Sequence, residues 1–203
     1  MTDTSTLTRE ATASVADQLQ ALHRASGLAP LKLGGKSLLP IVQGGMGVGI
    51  SAHRLAGTVA SLNAVGTISS VDLRRHHPDL MARTQDLPAG EQATQAAKQA
   101  INEANLEALS REIKAARAIA GDSGLLAMNI MRAVSEYGPA VKQALACGID
   151  MVVVGAGLPL DLPDLAQDHP NTLLVPILSD ARGIQLLVRK WERKKRLPDA
   201  IVI

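Results

Sequence analysis

The chain has 203 residues and a formal net charge of +2 at pH 7, which gives no reason to expect nucleic acid or an anionic membrane as its main partner. Hydrophobic residues make up 46% of it but aromatic residues only 1%, so the core has to be built from Ala, Leu, Val and Ile, as suits helices packed on a parallel sheet. The single cysteine, Cys147, excludes an internal disulfide and fits a reducing compartment, and no apolar stretch approaches the roughly 20 residues that span a bilayer.

The N-terminal segment is predicted to be a helical extension of the main fold, and we assign residues 1–35 to it. Apolar residues recur at helical spacing between residues 8 and 25, and Gly27 and Pro30 end the pattern. The segment lacks the apolar core of a signal peptide, and its three acidic residues argue against an organelle transit peptide. We therefore expect a soluble cytoplasmic protein.

A glycine-rich turn follows the first predicted strand. That strand is the apolar run at residues 38–42, because a short apolar run bounded by turn residues is typical of a strand buried on both faces. Four glycines come next, and their backbone can approach a ligand closely. They are Gly44, Gly45, Gly47 and Gly49. Ser51 is then predicted to cap a helix that runs to about Leu62. Strand, glycine turn and helix together favour a site for a flat or phosphorylated cofactor.

The same alternation of strand and helix continues to the end of the chain. Further strands are predicted at residues 64–69, 125–130, 151–154, 172–178 and 199–203. Helices are predicted at residues 103–120, 139–147, 162–167 and 181–196. Residues 71–100 form an irregular insertion, much longer than the usual 2 to about 6 residues between a strand and a helix. Such a long connection favours a lid or a contact with another subunit.

Six apolar strands that alternate with helices predict an α/β fold with a parallel sheet. An open doubly wound sheet could finish at five or six strands, whereas a barrel needs eight and typically about 250 residues. The chain stops on an apolar strand with no helix to cover it, which would leave an exposed edge. We therefore expect residues 36–203 to be a TIM-type (β/α)8 barrel that is cut short after about strand six.

Small polar residues or glycine follow four of the predicted strands. Ser69, Asn129, Gly155 and Ser179 hold these positions. Barrel enzymes place their ligand-binding groups at this end of the strands, and small residues there admit a ligand and offer short hydrogen bonds. Taken alone, Asn129 is explained equally well as a turn residue that caps the next helix, and Gly155 is explained better as part of a tight turn. The convergence of four such positions favours a binding site.

Other motifs point to other kinds of site. Residues 47–52 fit the dinucleotide fingerprint G-x-G-x-x-A, with Asp72 as the acid for the ribose, but the preceding strand closes on serines instead of that acid. His76 and His77 are adjacent in the insertion and predict solvated loop residues rather than a metal site. His53 is expected on a helix surface. No metal site and no catalytic triad is predicted.

Five stretches resemble the nitronate monooxygenase family, formerly called 2-nitropropane dioxygenases. They are PIVQGGMGVGIS, MNIM, GIDMVVVGAGLPLDLP, VPILSDARGIQLLVRKW and LPDAIVI. The resemblance extends over residues 36–203 in the order and spacing of the family. It implies an FMN-binding TIM barrel that oxidises alkyl nitronates with molecular oxygen. A nitronate and O2 are then the expected partners, and a homo-oligomer is among the assemblies that the resemblance allows.

The resemblance also implies positions for the flavin. The backbone of Gly44, Gly45 and Met46 would run beside the isoalloxazine ring, and Asn129 would bond the flavin. Ser69, Gly155 and Ser179 are added to the expected cofactor contacts because of their positions at the ends of other strands, not because of the resemblance.

The resemblance leaves the catalytic residue unassigned. The family's catalytic histidine and the loops that hold the flavin phosphate would both lie beyond Ile203, so no catalytic residue is assigned here. We expect this fragment to bind FMN weakly, to be unstable and to be inactive alone. Flavin-dependent enoyl-acyl-carrier-protein reductases, which share the Gly-Gly-Met turn, are an alternative. A non-catalytic half-barrel that serves as a binding or assembly module is another.

Overall fold

The computed structural model describes the backbone of residues 4–88 and 90–203, and the side chains of residues 15–88, 90 and 92–203. The α-helices are α1 (Thr4–Ser26), α2 (His53–Ser61), α3 (Pro78–Thr84), α4 (Gln95–Ala120), α5 (Tyr137–Ala146), α6 (Leu162–Leu165) and α7 (Ala181–Glu192). The strands are β1 (Leu31–Leu33), β2 (Lys36–Leu38), β3 (Val65–Ser69), β4 (Leu125–Met131), β5 (Met151–Gly155) and β6 (Leu173–Pro176). Short 3-10 helices cover Leu73–His76 and Gly90–Gln92.

A parallel sheet forms the centre of the molecule. β3, β4, β5 and β6 pair in that order, each parallel to its neighbour. Two further segments extend the sheet at its edges, through parallel bridges between Val42 and Val65 and between Ile177 and Val202. The described residues thus supply four regular parallel strands, and the strands predicted at residues 38–42 and 199–203 contribute one bridge each. This confirms the predicted α/β architecture, and the bounds of β3 to β6 differ from the predicted ones by at most two residues. The prediction that residues 38–42 are buried on both faces is wrong, because Ile41 and Val42 lie at the edge of the sheet and are 48% and 54% exposed.

The two faces of the sheet carry separate groups of buried side chains, because successive residues of a strand point to opposite faces. One face packs against the helices and includes Ile68, Met128 and Val154. The other face carries a smaller apolar cluster. Its members are Leu38, Val65, Leu125, Ala127, Met151, Val153, Leu173 and Val175. A parallel sheet with helices outside and an apolar interior is the arrangement of a (β/α) barrel.

The β1–β2 hairpin closes the end of the sheet at which the strands begin. The leucines of β1 pack against the inner apolar cluster. Gly34 lies so close to the start of β6 that a Cβ there would be 2.9 Å from Leu173 Cδ1. Lys36 Nζ donates a hydrogen bond to the carbonyl of Gly124 at 2.7 Å, just before β4. The predicted boundary at residue 35 falls within this hairpin, which therefore connects the N-terminal extension to the barrel.

The segment between β3 and β4 is more helical than the irregular insertion predicted at residues 71–100. It contains α3, and α4 begins at Gln95 instead of residue 103. The Thr94 side chain caps α4 by accepting a hydrogen bond from Ala97 N at 3.2 Å. The first turns of α4 are mostly Ala and Gln, which favour helix by propensity but offer no apolar stripe for a periodicity argument to detect.

The helices at the two ends of the chain also differ from their predicted bounds. α1 includes the helix predicted at residues 8–25 and extends beyond it at both ends. α7 ends at Glu192, before the predicted end at residue 196. None of the described helices is both long and apolar enough to cross a membrane.

Candidate functional site

Ser69 and Asn129 are register neighbours at the carboxyl ends of β3 and β4. Above them runs the glycine loop, which we define as residues 44–51. Asn129 Nδ2 donates a hydrogen bond to the carbonyl of Gly45 at 3.2 Å. A Cβ at position 45 would lie 2.7 Å from the same nitrogen, so only glycine lets the main chain approach this closely. The structure thus brings three of the predicted cofactor contacts together.

Gln43 and Ser51, at the two ends of the glycine loop, hold it in shape. Ser51 Oγ accepts a hydrogen bond from Met46 N at 2.8 Å and donates one to the Gly44 carbonyl at 3.1 Å. Ser51 N donates to the Met46 carbonyl at 3.0 Å. Gln43 Nε2 donates to Ser51 Oγ at 2.9 Å and also contacts the Gly44 carbonyl. Neither Gln43 nor Ser51 is among the cofactor contacts expected from the sequence.

Gln43 also marks the point at which the chain leaves the sheet. Val65 N donates to the Ile41 carbonyl at 3.1 Å, and Gln43 N donates to the Val65 carbonyl at 2.9 Å. The next donor along β3, Thr67 N, is bound by the Gln43 side chain, with Oε1 at 2.8 Å. A side-chain amide therefore takes the place of the main-chain carbonyl that a longer strand would present.

The prediction that Ser51 caps the following helix is wrong. The cap position of α2 is Ala52, which makes no side-chain cap hydrogen bond. Ser51 is only 1% exposed, and its hydroxyl is used within the glycine loop instead. The first N–H group of α2, that of His53, donates to Glu112 Oε2 at 2.7 Å. Glu112 belongs to α4, so a distant carboxylate takes over the role of a local cap.

Glu112 is the centre of a buried polar cluster. Its side chain is 1% exposed, and its oxygens lie 2.8 Å from His53 Nδ1 and 3.1 Å from His77 Nε2. His77 is therefore a partly buried neighbour of a carboxylate, not the solvated loop residue that the sequence predicted. His53, predicted on a helix surface, is the first residue of α2, and its ring contacts the same carboxylate. His76, in contrast, is exposed and lies against the glycine loop near Gly49. The described residues contain no group of three or more His, Cys, Asp or Glu that could hold a metal ion.

The remaining predicted residues have mixed surroundings. The Gly155 carbonyl accepts a hydrogen bond from Arg132 N at 2.7 Å, and a Cβ at Gly155 would lie 3.0 Å from Ile177 Cδ1. The Met46 side chain is 58% exposed at the glycine loop. Ser179 is exposed just before α7, and none of the described hydrogen bonds connects it to the other predicted residues.

The dinucleotide alternative does not fit the geometry. A pyrophosphate would need the open N-terminus of α2, but the carboxylate of Glu112 already accepts its first N–H. The predicted ribose acid, Asp72, is paired with Arg74 at 2.9 Å and with Arg75. Both groups that the fingerprint requires are therefore engaged by the protein itself.

A cation–aromatic cluster joins the loops that follow β4 and β5. The Arg132 guanidinium lies 4.7 Å from the centre of the Tyr137 ring, and Arg132 Nε lies 3.4 Å from Asp161 Oδ1. The Tyr137 hydroxyl donates to the same carboxylate at 3.4 Å. Burial, with the charge of Asp161 beside it, raises the pKa of Tyr137 well above its usual range. The tyrosine is therefore a neutral hydrogen-bond donor that fixes the two loops together.

No protein-family model matches the chain, and no curated protein matches it by sequence. Among solved structures, FabK from Thermotoga maritima superposes with a TM-score of 0.51 over 80% of this chain and 39% of FabK, at 20% sequence identity. The chain shares the FabK fold. This confirms the predicted barrel class. The chain spans about two-fifths of FabK. Nitroalkane oxidase from Streptomyces ansochromogenes aligns over 81% of this chain and 64% of its own at 13% identity, with a TM-score of only 0.33.

Proposed function

We propose that residues 36–203 form the ring-binding part of an FMN-dependent oxidoreductase that oxidises alkyl nitronates with molecular oxygen. The observation that carries this proposal is the contact between the Gly45 main chain and the Asn129 side chain at the carboxyl ends of the strands. Barrel enzymes bind their ligands at this end. The flavin would supply the redox chemistry by accepting electrons from the nitronate and passing them to O2.

The residues at this end suit a flat heteroaromatic ring. The faces of such a ring are apolar and pack best against a surface without protruding side chains. The main chain at Gly44 and Gly45 provides such a surface. Met46, 58% exposed, adds an apolar side chain beside it. The edge of the ring requires hydrogen-bonding partners. Asn129 Oδ1 makes no hydrogen bond within the described residues, so it can accept from a ring N–H while Nδ2 stays on the Gly45 carbonyl.

The roles of the residues follow from the substrate chemistry. A nitronate is already a carbanion, so no side chain has to remove a proton from carbon. The residues need only hold the substrate close to the ring and in the correct orientation. In this proposal Asn129 fixes the ring edge, the glycine loop supports the ring, and Ser69, 3% exposed, fills the space behind them. The contacts proposed here concern the ring and leave the phosphate to other residues.

Ligand titration tests the binding part of the proposal. The 203-residue chain would be titrated with riboflavin and with FMN, and quenching of the flavin fluorescence would be recorded. We expect both ligands to bind, because the proposed contacts are to the ring that they share. An excess of adenosine, which is also flat and aromatic, should not displace them. Absence of quenching with both flavins, or full displacement by adenosine, would contradict the proposal.

The reaction is tested on the flavin-loaded protein purified from its source, together with any chain that accompanies it there. Oxygen uptake on addition of propyl-2-nitronate is the expected result. NADH oxidation with no response to the nitronate would instead favour the enoyl reductase alternative. A partner chain but no flavin would favour the non-catalytic assembly module.

A further inference from the structure

We infer that Gln43 and Ser51 are positioning residues that fix the glycine loop in the shape that receives the flavin ring. This inference rests on the proposed function and extends it to two residues that do not touch the proposed ring position. Both side chains act through the main chain of Gly44, Gly45 and Met46.

Gln43 decides where the main chain leaves the sheet. If the strand continued, Gln43 would present its main-chain carbonyl to Thr67 N, and the Gly44–Gly45 segment would run on alongside β3. The Gln43 amide oxygen occupies that donor at 2.8 Å, which releases the following main chain from the sheet. Thr67 is 3% exposed, so its N–H would otherwise be buried without a partner. The released segment is the one that reaches Asn129, where Gly45 accepts the 3.2 Å hydrogen bond.

Ser51 decides how the loop closes. Its hydroxyl and its N–H together bind the Met46 N–H, the Met46 carbonyl and the Gly44 carbonyl. Its own carbonyl accepts from Ser69 N at 2.9 Å, which anchors the loop to the end of β3. These hydrogen bonds all lie within the loop or between the loop and the sheet. Because Glu112 caps α2, the Ser51 hydroxyl is free for this task.

The helix layer contains a chemically matched pair that serves as a control. Gln143 Nε2, on α5, donates to Ser110 Oγ, on α4, at 2.8 Å. This pair has the same donor group and the same acceptor group, and both glutamines are half-buried, but Ser110 is half-buried where Ser51 is buried. The pair lies away from the glycine loop. A role in general stability would make the two pairs equivalent. A positioning role would make only Gln43 and Ser51 matter for flavin binding.

The test compares Ser51→Ala and Gln43→Glu with Ser110→Ala and Gln143→Glu in the full chain. Riboflavin affinity, the visible absorption band of the bound flavin, and amide hydrogen exchange at Met46 are measured for each. Loss of one hydrogen bond that shapes the loop should raise the riboflavin Kd roughly tenfold. The controls should stay within about twofold, as expected for residues that do not affect the site. Gln43→Glu keeps the size of the side chain and the oxygen that accepts from Thr67 N, but it removes the N–H donor to Ser51 Oγ. This milder variant tests the inference if Ser51→Ala does not fold.

The expected result is weaker binding, a shifted absorption band and faster Met46 exchange in Ser51→Ala, with weaker binding and a shifted band in Gln43→Glu. The inference is overturned if all four variants weaken binding equally, or if neither loop variant does. Failure of the unaltered chain to bind riboflavin would instead overturn the proposed function. The titration of the unaltered chain reports that outcome separately.

Discussion

The two ends of the barrel sheet are built by different means. At the end where the strands begin, apolar side chains fill the space, and the β1–β2 hairpin, which includes Leu38, packs against Leu173. At the end where they finish, short polar side chains dominate, and the glycine loop is held by hydrogen bonds from Gln43 and Ser51. Apolar packing is non-directional and gives stability, whereas directed hydrogen bonds fix one loop conformation. The difference separates a stabilising end from the end at which we propose that a ligand binds, which is called the ligand-binding end below.

Replacing Glu112 with leucine should have the largest effect on folding at the ligand-binding end. The variant removes the acceptor of the hydrogen bonds from the His53 N–H and the His53 ring, and also the carboxylate that lies 3.1 Å from His77 Nε2. Loss of the two hydrogen bonds should lower the free energy of unfolding by about 2–6 kcal/mol, since each buried donor without an acceptor costs about 1–3 kcal/mol. Chemical denaturation measures the change.

The control for this variant is Glu107→Leu on the same helix. Glu107 forms exposed pairs with Arg83 and Arg111. Surface pairs of this kind contribute about 0–1 kcal/mol, so the control should remain close to the unaltered chain. Equal destabilisation by the two substitutions would mean that Glu112 has no special role.

Truncation of Leu38 probes the opposite end. The side chain is 1% exposed and belongs to the inner apolar cluster, so Leu38→Ala should cost about 2–4 kcal/mol of unfolding free energy through lost burial and a residual cavity. The riboflavin affinity of the folded protein should not change, because the cavity forms at the end away from the glycine loop. A parallel loss of stability and affinity would show that the two ends are not independent.

A methyl group added at Gly45 should affect the loop more than the fold. The new Cβ would overlap the Asn129 side chain, and overpacking of this kind costs about 1–3 kcal/mol. Either the loop or the Asn129 side chain has to move to remove this overlap. Because both are proposed to contact the flavin ring, riboflavin binding should be lost. Gly138→Ala is the matched control, because a Cβ there meets nothing within 4 Å. Thermal unfolding and riboflavin titration of both variants check the prediction, and retained binding by Gly45→Ala would contradict it.

The same contrast explains what the sequence could and could not predict. β3 to β6 were predictable because buried parallel strands are apolar runs bounded by turn residues, and the meeting of Ser69 with Asn129 follows from parallel pairing. The strands predicted at residues 38–42 and 199–203 form single bridges instead, because each lies at an edge of the sheet. The Glu112 cap was not predictable, because it joins residues 59 positions apart. A serine before an apolar helix is the usual sign of a local cap, so the Ser51 hydroxyl was assigned to the wrong partner. For the role of Gln43 in shaping the loop, the sequence offers one indication, which is that a polar glutamine directly follows an apolar run.

The smallest expected effect concerns an exposed ion pair near the ligand-binding end. Arg111 donates two hydrogen bonds to Asp79, at 2.9 and 2.8 Å, and lowers the pKa of that carboxyl from 3.8 to about 2. A carboxyl whose pKa is lower in the folded state stabilises that state above its unfolded pKa. Its contribution should therefore be present above about pH 4 and lost as the pH falls toward 2.

Carboxyl NMR titration of the unaltered chain and of Arg111→Met measures this shift. The Asp79 pKa should return toward its ordinary value in the variant, because the hydrogen bonds from the guanidinium are the largest cause of the shift. Riboflavin affinity at neutral pH should stay the same, since Asp79 contacts neither the glycine loop nor Asn129 among the described hydrogen bonds. An unchanged pKa would mean that the pair does not persist in solution. A change in riboflavin affinity would mean that α3 takes part in shaping the loops above the strands. The close approach of Glu112 to His77, just before that helix, would then connect the two regions.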